Sequence, residues 1–334
     1  MPDRFLNLTD GVAMIVTDLH GDRDALIRYV DRFRALHASG EAQRLILMGD
    51  LIHGYGSARA DGSLSLVLSV IQLQEEFGPD TVIMLLGNHE MPHIYGVSLM
   101  KGEMEFTPRF EHSLGEHREV VLAFLESLPF YVRTAAGVML SHAGPSSDVI
   151  DDADLLRHYD HGAILGEADH ALSQADDLMP LYEQYGNLHG APYEEDAEYY
   201  LAVQGPDDAR YPHLLRAFLI SRQSRPFRVL WDALFTMNEI GLTEWTYLQT
   251  CQQFLSAFSV DAPVKQQVII SGHIITPLGG HMLVNRCHFR LSSATHARPR
   301  ESGRYLLLDC AKPIRAANEL IGCLGSVFDH EDDE

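Results

Sequence analysis

Arg44-Leu45-Ile46-Leu47-Met48-Gly49-Asp50-Leu51-Ile52-His53-Gly54 is the stretch from which the rest of the chain is read. Leu45 to Met48 is an apolar run without charge, the pattern of a strand buried on both faces, and it stops at a glycine followed by a carboxylate. Other runs end in the same manner. Gly11–Thr17 runs into Asp18-Leu19-His20-Gly21-Asp22, and Thr81–Leu86 into Gly87-Asn88-His89-Glu90. Later, Gly137–Leu140 leads to Ser141-His142-Ala143-Gly144, and Gln267–Ile270 to Ser271-Gly272-His273. Each strand thus delivers a carboxylate, an amide or an imidazole just past its carboxyl end, where active sites sit in open α/β sheets. Asp50 is the natural centre, because one carboxylate can bridge two cations.

Between these strands lie segments of helical period. Asp22–Ala38 carries Leu26, Tyr29, Val30, Phe33 and Leu36 on one face, and Ser63–Phe77 carries Leu66, Val67, Val70, Ile71 and Leu73 before Gly78-Pro79 stops it. A third helix is expected over Glu116–Leu128, then others over Leu214–Arg222, Val229–Ile240 and Trp245–Phe258. Strands are expected at Tyr131–Thr134, His281–Asn285, Phe289–Ser293 and Arg304–Asp309, which makes the later part of the sheet mixed or antiparallel. The fold class is α/β, with residues 1–328 as one domain.

The net charge of −22 is unevenly spread. Residues 146–212 hold 16 acidic and 2 basic side chains, and read as an acidic cap or lobe inserted beside the site. The tail 329–334 holds 5 acidic residues and reads as a disordered, solubilising end. Residues 213–328 carry 12 basic against 7 acidic side chains, enough to serve a single phosphate. An acidic molecule is a poor partner for nucleic-acid backbones, so nucleic acid is excluded as partner and a nuclease is disfavoured. No apolar run is long enough to span a bilayer, and Met1-Pro2-Asp3-Arg4-Phe5 lacks the basic start of a signal peptide. Cys251, Cys287, Cys310 and Cys323 show no CxxC spacing and read as reduced core thiols, consistent with a cytoplasmic location.

Asp18 and His20 can reach one cation from a single loop, and Asp50 can share itself between that cation and a second one completed by Asn88, His142 and His273. Mixed oxygen and imidazole donors suit two transition metal ions, Mn first and Fe or Zn as alternatives, rather than Mg or Ca. Such a pair binds a phosphate through two oxygens and activates a bridging hydroxide for in-line attack on phosphorus. His89, next to Asn88 but not needed as a ligand, is placed as general acid for the leaving alkoxide. Glu90 reads as a brace for the turn. His93, His112, His117 and His189 read as surface or capping residues.

These residues resemble the calcineurin-like metallophosphoesterases, in the phosphoprotein phosphatase branch. The family's GDxHG, GDxxDRG, GNHE, HGG and late GH correspond to Thr17–Gly21, Gly49–Gly54, Gly87–Glu90, His142–Gly144 and Gly272-His273. Leu128-Pro129-Phe130, Leu230-Trp231-Asp232 and Leu291-Ser292-Ser293-Ala294 look like its Leu-Pro, LWSDP and FSAPNY segments. The resemblance implies a β-sandwich flanked by helices, the ligand set named above, and His89 as proton donor. It implies a phosphorylated protein or a small-molecule phosphate ester as substrate. A dinucleoside polyphosphate hydrolase and a metal-binding pseudoenzyme are the alternatives. The second motif departs from the pattern: His53 and Gly54 stand where the family has an Asp that orients the GNHE histidine and an Arg that grips phosphate. His53, His281, Arg298 and Arg300 are the expected replacements in substrate binding, with Arg222, Arg225 and Arg228 as further cations.

Overall fold

The computed structural model describes residues 3–57, 59–101 and 104–328, so the acidic tail lies outside the described residues. Strands are β1 (Phe5–Leu8), β2 (Val12–Val16), β3 (Arg44–Leu47), β4 (Val82–Met84), β5 (Met100–Lys101), β6 (Met104–Glu105), β7 (Tyr131–Thr134), β8 (Val138–Ser141), β9 (Val268–Ser271), β10 (His281–Asn285), β11 (His288–Leu291), β12 (Tyr305–Asp309) and β13 (Leu324–Gly325). One sheet has the order β13-β12-β2-β3-β4 and the other β1-β7-β8-β9-β11-β10. Both are mixed: β2, β3 and β4 are parallel neighbours, as are β8, β9 and β11, while β12 runs antiparallel to β2 and β7 to β8.

The two sheets face each other. Ala13, Ile15, Ile46, Met48 and Ile83 of one meet Val132, Leu140, Ile270, Phe289 and Leu291 of the other in a shared core. The opposite face of the first sheet, Met14, Val16, Leu45, Leu47 and Met84, packs in a separate core with the helices α1 (Arg23–Ala38) and α2 (Ser63–Phe77). Successive strand residues point to opposite faces and both faces are buried, so the run from Leu45 to Met48 is apolar throughout. Each such side chain contributes about 1.5–3 kcal/mol of burial.

Two short helices follow β4: α3 (Met91–Tyr95) and α4 (Thr107–Leu114), each with a proline in its first turn. Neither was expected from periodicity, because each is too short to display one. After α5 (Arg118–Ser127) the acidic segment proves helical: α6 (Ala153–Arg157), α7 (His161–Ser173), α8 (Met179–His189) and α9 (Tyr193–Leu201). Residues Val149 to Ala168 contribute to the main core, whereas Leu172, Tyr185, Tyr193 and Leu201 form a small core of their own with Leu214 and Phe218 of α10 (His213–Gln223).

The helix expected over Val229–Ile240 is instead two. α11 (Arg225–Leu234) starts earlier because the Ser224 side chain accepts from Phe227 N–H and Pro226 occupies the first turn. It stops where Thr236 Oγ1 accepts from Asn238 N–H at 3.3 Å, which turns the chain into α12 (Asn238–Gly241) before α13 (Glu244–Ala257). Edge strand β1 also escaped the reading, since its residues alternate only weakly in burial. No helix among the described residues is long and apolar enough to cross a membrane. All four cysteines are free thiols.

Candidate active site

Past the carboxyl ends of β2, β3 and β9 the backbone is driven into a rarely used region. Asp18, His20, Asp50, His53 and His273 all have φ between 43° and 68°, which side-chain-bearing residues adopt uncommonly. Such conformations persist only where the surroundings impose them, and they gather at functional sites. Here the loops brace one another. His20 N–H donates to Asp50 O at 2.9 Å and Gly21 N–H to Leu51 O at 2.7 Å. Glu90 accepts from Asp50 N–H at 2.9 Å and from Leu51 N–H at 2.8 Å, so it holds the Asp50 turn. Close approach demands glycine at two points. A Cβ on Gly87 would strike the Asp50 and Glu90 carboxylates, and one on Gly272 would strike Asp18.

The six expected ligands converge. His20 Nδ1–H donates to Ile52 O at 3.0 Å and His142 Nδ1–H to Met48 O at 2.9 Å. Burial lowers both rings, His20 to about 3, so each is neutral and its Nε2 carries a bare lone pair. Those lone pairs face Asp50: His20 Nε2 is 3.6 Å from Oδ2 and His142 Nε2 is 3.5 Å from Oδ1. Asn88 Oδ1 lies 2.7 Å from His142 Nε2 and 3.0 Å from His273 Nδ1. His273 N–H donates to Asp18 Oδ1 at 2.9 Å, which ties the two halves of the site together. Burial would raise the Asp18 carboxyl, but His296 beside it holds it below the usual carboxylate range.

Among the described residues His20 Nε2 has no hydrogen-bond partner. This donor set fits divalent cations, with the outward nitrogens of His20 and His142 committed to backbone carbonyls as in metal sites generally. Asp18, His20 and His296 form one group of facing donor atoms, and Asp50, His142 and His273 another.

His89 lines a cavity of about 320 Å³ together with Asp50, Asn88 and His273. Its Nε2 is 3.9 Å from Asp50 Oδ2. The far wall is apolar, formed by Leu99, Phe106, Phe235, Met237 and Ile274 among others. No described side chain lining this cavity is a lysine or an arginine.

The four expected substrate-binding residues are not among those described as lining the cavity. His53 is buried behind His89, with Nδ1 at 2.8 Å from His89 Nδ1. Arg300 binds Asp22 with two nitrogens, at 2.6 and 2.8 Å, and Asp24 at 2.8 Å, which clamps the start of α1. Arg298 is exposed and folds back on the carbonyls of Thr295 and Ala297. His281 stacks on Phe289 with ring centroids 5.7 Å apart.

Two histidines carry more than sequence reading assigned them. His296 is buried with Nδ1 at 3.2 Å from Asp18 Oδ1. Its signal was a position just past the end of β11, the place that marks the other site residues. His93, expected as a surface or capping residue, is 1% exposed and sits 2.7 Å from both His53 Nε2 and Glu111 Oε1. Its spacing of four from His89, one helical turn, was the available clue.

The calcineurin-like phosphoesterase family model matches residues 12–209, more than half of the chain. No curated protein matches the sequence significantly. Among solved structures, a Saccharomyces cerevisiae serine/threonine phosphatase with similarity to human phosphatase PP5 aligns with 92% of this chain and 77% of its own, at 13% identity and a TM-score of 0.46. A protein proposed to be a diadenosine tetraphosphatase aligns with 91% of this chain and 92% of its own, at 15% identity and a TM-score of 0.35. A Sphaerobacter thermophilus metallophosphoesterase aligns with 90% of this chain and 84% of its own, at 12% identity and a TM-score of 0.33.

Proposed function

Because the chain belongs to the calcineurin-like phosphoesterase family and is a metal-dependent phosphoester hydrolase, we propose that its substrate is a phosphomonoester, on a protein serine or threonine or on a small molecule. The observation that carries this reading is the convergence of bare imidazole nitrogens and carboxylates on Asp50, with His89 lining the adjoining cavity. Asp18, His20 and Asp50 would hold one divalent ion and Asp50, Asn88, His142 and His273 the second, with manganese the first candidate. Bound there, the ions would supply Lewis acidity toward the phosphate oxygens and an activated water.

The chain's own residues do the rest. His89 delivers a proton to the leaving oxygen, and Glu90 keeps the Asp50 turn in register through the Asp50 and Leu51 amides. Phe106, Phe235 and Ile274 form an apolar wall that receives an uncharged leaving group. That wall offers no cation to a polyphosphate chain among its described side chains, which supports the monoester over the dinucleoside polyphosphate. Nor does any described residue of the acidic segment 146–212 line the cavity, so we read that segment as a lobe beside an accessible site. The free thiols support a cytoplasmic setting.

Protein assayed with manganese, zinc and iron against aryl, alkyl and phosphopeptide monoesters is expected to turn over, and Asp50→Asn or His142→Ala to abolish turnover. Metal binding without turnover across the whole panel, or unchanged rates in both variants, would refute the reading.

A further inference from the structure

A second cavity, of about 520 Å³, lies at the amino ends of β9 and β11. The carboxyl end of β9 carries His273, so this cavity stands at the other end of the strands from the cation ligands. Three cations from three separate segments line it. Lys265 precedes β9, Arg286 stands in the turn between β10 and β11, and Arg315 lies in the connection after β12. Gln252 and Leu255 of α13 close the fourth side, and Gln267 adds a second amide.

No carboxylate is among the described residues of this wall, and none of the three cations forms an ion pair with a described residue. Elsewhere on the surface Arg28, Arg34 and Arg225 each hold an aspartate or a glutamate. In a chain with 47 acidic and 25 basic residues, three cations around one cavity without an acid in its wall run against the composition. The nearby Glu319 is already engaged, its Oε1 accepting from Arg315 N–H at 3.1 Å and Ala316 N–H at 2.9 Å. The frame is fixed by the backbone. Ala317 N–H donates to Arg286 O at 2.9 Å, Ile269 N–H to Cys287 O at 2.8 Å and Gln267 N–H to Gly137 O at 2.7 Å. The buried Gln266 amide, donating to Thr134 O and Val264 O, anchors the segment that carries Lys265. The three charges are therefore held together before any ligand arrives, which lowers the ordering cost of binding.

We propose that this cavity binds a small polyanion carrying a chain of two or three phosphoryl groups, gripped by Lys265, Arg286 and Arg315. A guanidinium fork matches two phosphoryl oxygens, and an ammonium serves as a point charge for a third. A lone phosphate would leave at least one of the cations without a counter-charge, whereas a chain gives each a partner. The volume is that of a small-molecule site. Inorganic oligophosphate and the phosphate chain of a nucleotide share this chemistry. An extended acidic macromolecule fits less well, because the net charge of −22 repels it beyond the cavity. The acidic residues 329–334 follow Phe328, whose ring packs against Tyr29 and the Arg300 guanidinium beside α1, near the carboxyl end of β2. They start from the opposite end of the strands.

Calorimetric titration of the full-length protein with tripolyphosphate, pyrophosphate, orthophosphate and a non-hydrolysable ATP analogue tests the site. It is run on protein as purified and again after passage over a chelating resin, so that the result does not depend on turnover or on the cation ligands. Tripolyphosphate is expected to bind once per chain, about tenfold or more tighter than orthophosphate, with and without the resin step. Arg286→Ala and Arg315→Ala should each weaken it about tenfold or more. Both residues are exposed, so the urea midpoint of each variant should stay that of the wild type. Tighter binding of the ATP analogue than of tripolyphosphate would support the site with a nucleotide as its source. Equal or weaker binding would support it with the inorganic chain. No binding of any of the four at millimolar ligand, orthophosphate binding as tightly as tripolyphosphate, or undiminished binding in the Arg286→Ala/Arg315→Ala double variant would overturn the proposal.

Discussion

Replacing Asp50 by asparagine should stabilise the metal-free protein and remove most of its stabilisation by metal. In the folded chain the Asp50 carboxylate faces the bare Nε2 atoms of His20 at 3.6 Å and His142 at 3.5 Å, whose own hydrogens are engaged by Ile52 O and Met48 O. Among the described residues His20 Nε2 has no hydrogen-bond partner in this buried site, at a cost of about 1–3 kcal/mol. An asparagine of the same shape can turn its amide N–H toward one of those nitrogens while its oxygen keeps the His89 N–H that Asp50 Oδ1 accepts at 3.0 Å. Without metal, Asp50→Asn should therefore be about 1–3 kcal/mol more stable than the wild type. With cation present at a hundred times its dissociation constant, the wild type should gain about 2.7 kcal/mol and the variant much less, because the shared ligand is gone. Urea unfolding in chelator and in saturating manganese measures both terms, with equal m-values required for a valid comparison. A variant less stable than the wild type in chelator would refute the account of facing lone pairs. A wild type that gains nothing from any divalent cation would refute the cation site.

Gly272→Ala should abolish cation-induced stabilisation while the protein stays folded, because the added Cβ would displace the Asp18 carboxylate; thermal melts with and without metal check this. Arg290 and Glu239 form an ion pair with both side chains 2% exposed, so removing either partner should cost about 3–5 kcal/mol, and an Arg290→Met/Glu239→Leu double variant much less than the sum. A denaturant double-mutant cycle with additive losses would contradict it. Glu111 has a folded-state carboxyl below its ordinary value of 4.5, so its stabilisation is present above that value and is lost as pH falls through and below it. Accordingly, the stability deficit of Glu111→Gln should be largest near neutral pH and should shrink on acidification, as followed by unfolding midpoints from neutral to acid.

What the sequence determined by itself is local. Buried runs ending in glycine and a polar residue state both the strand and the place where its last side chain emerges, so Asp18, Asp50, Asn88, His142 and His273 could be named before any contact was known. Leu45 to Met48 could be read without neighbours because a strand covered on two faces must be apolar at every position. Only the tertiary structure decided matters that depend on residues far apart in the chain. Glu111 reaches the site from a helix too short to show a period, and becomes meaningful when Phe106 and Phe110 press His53 and His93 into line with it. The guanidinium of Arg300, a residue expected to serve phosphate, binds Asp22 and Asp24, more than 270 residues earlier. His296 and Asp18 likewise meet only because β11 and β2 lie in facing sheets. Periodicity records whether a face is buried, whereas the partner of a buried polar group is set by packing between distant segments.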